Sequence, residues 1–170
     1  MTTSHCYADQ FKLYLRAGTK KARPDELRAC SKNELVKIRL RAAENSRTPV
    51  DCLEELAHDS DADVRIAVAL NPSTPLAVKA VLATDDDPTV RYGIAEEPSV
   101  AVELLQLLAD DCNPYVSCRA HKTLELLDAA KRKNEKCRQK FKMADLIKRP
   151  RRILAESAHS FFSGTWARST

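Results

Sequence analysis

The sequence predicts an all-α fold, a short α-solenoid of about four two-helix repeats of 26 residues, with an N-terminal capping helix and a basic C-terminal arm. Three observations lead there. Shifting the chain by 26 residues places Ile38-Arg39 on Val64-Arg65, Val90-Arg91 and Val116-Ser117, and Leu56-Ala57 on Leu82-Ala83 and Leu108-Ala109, without a gap. The 170 residues include only three glycines, Gly18, Gly93 and Gly164. Neither a GxGxxG nor a GxxxxGK[ST] phosphate loop can be written with so few, and glycine-dependent hairpin turns are disfavoured. Each repeat also carries two helix-start signals, an N-cap type followed by proline or a helix former.

At the N-terminus, Tyr7, Phe11 and Leu15 form one helical stripe ending at Gly18, a suitable C′ residue, so residues 1–21 are expected to cap the stack. Asp25, Leu27 and Ile38 align with Asp51, Leu53 and Val64, so a degenerate half repeat precedes the first full one. Within each unit, Asp61, Asp87 and Asn113 are expected to cap a first short helix, such as one from about Pro88 to Ala95. Thr48-Pro49 and Thr74-Pro75 read as cap and N1 of the second helix, with Asp51 and Glu103 at N3. That helix presents Cys52, Leu53 and Leu56, or Leu104, Leu105, Leu107 and Leu108. Lys79 departs from the pattern, standing where Leu53 and Leu105 fill the core. Helices of eight to ten residues are too short to persist alone in water, so neighbouring repeats must supply the burial. Val116, Cys118 and Ala120 open a fourth unit, followed by Leu124, Leu126 and Leu127.

From about Pro24 to Leu127 the pattern resembles the leucine-rich repeat variant family and, more broadly, the HEAT-like α-solenoids. The residues that carry the resemblance are Val64-Arg65-Ile66-Ala67-Val68-Ala69-Leu70-Asn71-Pro72-Ser73-Thr74-Pro75, then Leu82-Ala83 and Asp85-x-Asp87-Pro88-x-Val90-Arg91. The resemblance implies a short α-helix paired with a second helical segment in each repeat, and a binding role. Some relatives carry an iron–sulfur cluster on a separate cysteine-rich segment. This chain has no such closely spaced cysteines, so no cofactor is expected.

Charge divides the chain. Residues 22–128 hold 20 acidic and 12 basic side chains, and 129–152 hold 11 basic against two acidic ones. Domain boundaries are therefore expected at 1–21, 22–128 and 129–170. The arm contains Lys131, Arg132, Lys133, Lys136, Arg138, Lys140, Lys142, Lys148, Arg149, Arg151 and Arg152. Its first half is expected to prolong a helix, with Phe141, Ala144 and Ile147 as a thin stripe before Pro150, and Ile153, Leu154, Phe161, Phe162 and Trp166 beyond it. Such an arm suits nucleic-acid phosphates, an anionic membrane surface or an acidic protein surface, or it is a solvated tail.

Arg39, Arg65 and Arg91 form a column that either grips an external carboxylate or phosphate or, structurally, pairs with the Asp six residues earlier, Asp59 with Arg65 and Asp85 with Arg91. Asp85-Asp86-Asp87 has neither the glycine nor the ligand count of a calcium loop, and Pro88 follows directly, so it reads as a solvated turn. Cys112, Cys118 and His121 lack a fourth ligand and zinc-site spacing; Cys118 falls in an apparent core column with Leu40, Ile66 and Tyr92. No nucleophile elbow or activating pair marks His5, His58, His121 or His159, and no metal is expected. The N-terminus shows no signal-peptide pattern and no apolar run approaches a membrane span, so a cytoplasmic location is expected. The function expected is a non-catalytic, monomeric protein–protein adaptor, with nucleic-acid or anionic-membrane binding through the arm as the alternative.

Overall fold

The computed structural model describes the backbone of residues 3–148 and the side chains of 9–141. Among the described residues the secondary structure is helical throughout: α1 (Thr3–Ala17), α2 (Pro24–Ser31), α3 (Val36–Glu44), α4 (Val50–Leu56), α5 (Ala62–Leu70), α6 (Leu76–Leu82), α7 (Pro88–Glu96), α8 (Val102–Ala109) and α9 (Pro114–Lys148). The chain divides into two compact units, Met1–Leu126 and Leu127–Thr170. In the first, α3 packs on α5 and α5 on α7, with α4, α6 and α8 against the same stack and α1 against α2 and α3. This is the short α-solenoid that the period requires. The second half of the basic arm's expected apolar residues (Ile153, Leu154, Phe161, Phe162 and Trp166) lies outside the described residues, as do the side chains of Ala144 and Ile147.

The interior is built from one column per repeat position. Ile38, Val64, Val90 and Val116 are buried, as are Ala43, Ala69 and Ala95, and Leu27, Leu53 and Leu105. Small and medium side chains at these columns let short helices approach closely. Lys79 interrupts the leucine column and is half-buried, and burial lowers the pKa of its ammonium. It makes no ion pair among the described residues.

Several local readings are corrected by the geometry. Asp61 and Asp87 cap α5 and α7 as expected, their carboxylates accepting from Asp63 and Val64 N–H and from Thr89 N–H. Pro49 and Pro75, however, are themselves the N-caps of α4 and α6, which moves Asp51 to the second helical position. Thr48 and Thr74 do not cap. Their buried hydroxyls donate backwards to the carbonyls of Ala42 (2.5 Å) and Val68 (2.7 Å), holding the end of the preceding helix. Asp51 instead pairs with Arg28 at 3.0 Å. Leu107 is exposed, although α8 buries Leu104, Leu105 and Leu108. The column of Leu40, Ile66, Tyr92 and Cys118 is not core: Leu40 and Ile66 are half-exposed, Tyr92 and Cys118 exposed. The fourth unit has no second short helix, because α9 continues unbroken from Pro114 to Lys148.

The capping helix α1 does shield the first repeat, but with another face. Phe11 is 61% exposed and Leu15 51%, whereas Leu13, Tyr14 and Ala17 pack against Cys30, Ile38 and Ala42. Tyr7's side chain lies outside the described set. Gly18 follows the helix without left-handed backbone, and a Cβ there would stand 3.1 Å from Arg41 Nε, a contact that a small shift of the arginine side chain relieves. Arg41 in turn lies over the Tyr14 ring, 5.1 Å from its centroid.

A buried amide ladder shows why α1 sits where it does. Asn71 donates from Nδ2 to the carbonyls of Ala43 (2.6 Å) and Asn45 (2.9 Å), while its Oδ1 accepts from Ser73 N–H. Asn45 makes the same bonds one repeat earlier, to Ala17 (2.6 Å) and Thr19 (2.9 Å), and accepts from Arg47 N–H. The N-terminal helix is therefore in register with the repeats, Ala17 standing 26 residues before Ala43. The ladder breaks in the third unit, where Glu97 replaces asparagine and Val100 replaces threonine. A carboxylate cannot donate to the carbonyls of Ala69 and Asn71, nor a valine to that of Ile94. Glu97→Asn with Val100→Thr should restore these donors and stabilise the chain by about 1–3 kcal/mol, taking a net of about 1 kcal/mol per new bond. Urea denaturation followed by circular dichroism checks it through a higher midpoint at unchanged slope.

Candidate functional site: the turns between repeats

The turns that precede α5 and α7, and the one that precedes α9, share one design. Asp59, Asp85 and Asp111 each fold back so that Oδ1 accepts from the N–H two residues on, in Asp61, Asp87 and Asn113, at 2.8–2.9 Å. This aspartate turn fixes the carboxylate relative to the helix that follows. The same carboxylate receives a guanidinium from the repeat before. Arg39 donates to Asp59 through Nε (2.6 Å) and Nη2 (3.0 Å), Arg65 to Asp85 (2.8 and 3.1 Å), and Arg91 to Asp111 (2.7 and 3.1 Å).

The pairing partner is thus the aspartate twenty residues later, in the next repeat, and not the one six residues earlier. The earlier residue is hydrogen-bonded only through its main chain: Arg65 Nη1 donates to the carbonyl of Asp59 (2.7 Å) and Arg91 Nη1 to that of Asp85 (2.6 Å). Arg39 Nη1 does the same with Asn33 (2.9 Å). Every arginine therefore bridges two successive turns, which a pairing confined to one turn would not do. The bidentate fork suits this planar guanidinium and not a lysine. The ladder begins at Asn33, whose Oδ1 accepts from Leu35 N–H without an arginine before it. It ends at Ser117, which occupies the arginine column and donates instead to the Ala109 carbonyl.

The pairs are largely shielded, with side-chain exposures of 15% for Arg39 and 6% for Asp59. Burial alone would raise the Asp59 carboxyl, but the Arg39 hydrogen bond and the Asp61 N–H outweigh it and hold it below the usual carboxylate range. The Arg91 hydrogen bond depresses Asp111 against its burial. Hydrogen bonds from the Thr89 backbone and side chain lower Asp87. Each arginine is raised by its carboxylate partner, against the effect of burial.

Carboxyls held low in the folded state stabilise it above the unfolded value near ~3.9, and that stabilisation is lost as pH falls through the folded value. The thermal midpoint should therefore stay level from about pH 8 to 5 and fall steeply below about pH 4. Asp111→Asn should lower the plateau and flatten the acid limb, as thermal melts across that range would reveal.

Two clefts open between these turns. The first, about 430 Å³, is lined by His58, Asp59, Arg65, Val81, Asp85 and Asp86 among others. The second, also about 430 Å³, lies one repeat on and is lined by Asp85, Asp86, Arg91, Leu107, Asp110 and Asp111 among others. The predicted column residues Arg65 and Arg91 thus form cleft walls, each guanidinium already held by an aspartate. His58, Cys112, Cys118 and His121 are exposed, and no group of metal-ligating side chains is assembled among the described residues. A third cleft of about 300 Å³ lies between α3 and α5, lined by Leu40, Glu44, Asp63, Ile66, Ala67 and Leu70 among others.

Of the predicted arm residues, Lys131, Arg132, Lys133, Lys136, Arg138 and Lys140 lie exposed on α9. Lys131 pairs with Asp128 at 3.8 Å, and Arg132 Nε donates to the Asp128 carbonyl at 3.2 Å. Phe141 is exposed as well. Lys142 and Lys148 fall within the helix, their side chains outside the described set, and Arg149, Arg151 and Arg152 lie outside the described residues. Reading the sequence alone missed the buried roles of Asn45, Asn71, Thr48 and Thr74. The signal was their 26-residue recurrence, which marks a structural position as plainly as the leucines do.

No helix among the described residues is long and apolar enough to cross a membrane. No curated protein and no solved structure matches the chain. Residues 36–61, one full period from the start of α3 to the turn before α5, match the family model described as leucine rich repeat variant, and it is to that repeat family that the solenoid is similar.

Proposed function

We propose that the chain is a non-catalytic protein–protein adaptor, acting as a cytoplasmic monomer, in which the solenoid offers the docking surface and the basic segment 129–170 adds electrostatic attachment. The repeat match supports an interaction module at the level of the family. The observation that carries the reading further is the apolar surface left over by the stack. Leu40, Ile66 and Tyr92 recur at one surface column, and Leu76, Val81 and Leu107 stand exposed on the second helices. The ion-pair and amide ladders take up buried polar groups between repeats, whereas these side chains keep much of their apolar surface exposed. Exposed apolar residues clustered on a charged protein mark association surfaces.

The test is site-specific photo-crosslinking from positions 66, 81 and 92 of the full-length chain in cells. Discrete adducts to another protein at these positions, absent from a control position such as 103, support the adaptor. Uniform or absent adducts contradict it.

A second reading is favoured by the exposed cations of α9 beside exposed Phe141: binding of nucleic-acid phosphate or an anionic membrane surface. A gel-shift titration of the full chain against duplex and single-stranded probes over a salt series separates it. A shift that weakens steeply with salt, and disappears when the six described cations are changed to glutamine, supports that reading.

A further inference from the structure

We infer that residues 127–141 of α9 form one half of a two-helix coiled coil whose other half is an acidic helix of another protein, an inference that rests on the adaptor reading and names the partner of its basic segment.

α9 runs unbroken from Pro114 to Lys148. Its first turns are seated on the repeats through Val116, Ala120 and Thr123, all buried, and the Thr123 hydroxyl donates to the Ala95 carbonyl at 2.7 Å. These positions step by four residues and then three. The same steps continue along the helix to Leu127, Ala130, Asn134, Cys137 and Phe141, the a and d positions of a heptad repeat. Leu127 is half-buried and the other four are exposed. The seam that seats the helix therefore runs on for two heptads with its side chains open to solvent.

The flanks of this seam name the partner's chemistry. Every e and g position between Leu127 and Phe141 holds a cation, Lys131 and Arg138 on one side and Lys133 and Lys140 on the other. All four are exposed, and among the described residues only Lys131 makes an ion pair, a 3.8 Å contact with exposed Asp128. In a coiled coil these flanking residues face the other helix across the seam, so a second copy would set cation against cation in either orientation. A helix with glutamate or aspartate at those positions turns the same contacts into salt bridges.

The seam also decides between a helix and other anionic surfaces. The face of a membrane-surface helix is broad and apolar, whereas this one is a narrow line with the amide of Asn134 at its centre. A coiled coil tolerates a single asparagine at an a position, where it fixes register. Nucleic-acid phosphates answer the cations but not the four-three spacing between them. Ala130 and Cys137 are small, so leucine-sized residues on the partner fill the seam.

The experiment is fluorescence anisotropy of the full-length chain with three labelled three-heptad probes of one composition. The first has leucine at a and d and glutamate at e and g; the second moves the glutamates to b and c; the third keeps the glutamates and moves the leucines to b and c. The first should bind at least tenfold tighter than either of the others. Lys133→Gln with Arg138→Gln removes two flanking charges and should cut that binding at least tenfold. Arg132→Gln with Lys136→Gln removes two outward charges and should change it less than about threefold, with circular dichroism unchanged in both variants. Phe141→Ser should weaken the first probe more than the third.

Equal affinity for the three probes, or equal losses from the two charge pairs, overturns the inference. Binding of duplex DNA or phosphatidylserine vesicles without any preference among the probes assigns the segment to phosphate or membrane and also overturns it. Self-association lost in Phe141→Ser, again without a probe preference, assigns the seam to a second copy and overturns it. Crosslinks from positions 66, 81 and 92 that persist while the probe preference is absent overturn the helix assignment and leave the adaptor reading standing. A probe preference without such crosslinks supports the helical partner and removes the solenoid surface from the adaptor reading.

Discussion

Asn71→Asp should unfold the solenoid more readily than any other isosteric change in it. Asn71 is 2% exposed, and its amide supplies hydrogen-bond donors to two carbonyls of the preceding repeat, those of Ala43 and Asn45. The aspartate has the same shape but no donor, and it places a charge where water cannot reach. The Asn45 carbonyl keeps the Thr48 N–H, so the Ala43 carbonyl is the acceptor left unpaired, at a cost of about 1–3 kcal/mol to which the buried charge adds. That is a large share of the ~5–15 kcal/mol that holds an ordinary domain together. The expected result is a fall in urea midpoint, with loss of cooperative unfolding at the upper end of the range. Asn45→Asp should follow the same pattern at the junction with α1, where the carbonyls are those of Ala17 and Thr19. A variant indistinguishable from the parent in denaturation would mean that the amide ladder contributes nothing.

Arg65→Met is the second large effect. Removing the guanidinium strands Asp85 in a partly buried turn and releases the Asp59 carbonyl in the same step. Breaking one side of a shielded ion pair costs about 3–5 kcal/mol, because the remaining charge keeps its desolvation penalty. Arg65→Lys should recover only a minor part of the loss, since an ammonium cannot supply the two parallel donors and the third to a carbonyl. Asp85→Asn in the Arg65→Met background should be less damaging than in the parent, as the stranded charge is then removed. Thermal melts of the parent and the four variants check all three statements.

The period, the all-helical class and the first helix of each unit were legible because they depend on local chemistry: apolar columns, and aspartate before a helix start. The second helix start was misread at Thr48 and Thr74 for a physical reason. A threonine before proline is a sound cap by local rules, yet here the hydroxyl satisfies a carbonyl six residues back, a tertiary demand that no window on the sequence displays. The arginine column was legible as a ladder, but its direction was not. Whether Arg65 reaches back to Asp59 or onward to Asp85 depends on how adjacent turns stack, and both residues recur with the same period. On α1, Phe11 and Leu15 suggested a buried stripe by size, while the smaller Ala17 and the neighbouring Leu13 and Tyr14 make the contact because close packing favours a flatter face. The clefts were not legible at all, since they arise between turns brought together only by stacking.

The central claim is that each arginine ties its own repeat to the next. A pair of double-mutant cycles on Arg65, one with Asp85 and one with Asp59, measures it directly. The account predicts a coupling of about 1–3 kcal/mol with Asp85 and a value within about 0.5 kcal/mol of zero with the Asp59 side chain. A coupling concentrated on Asp59 would place the interaction inside a single turn and contradict it.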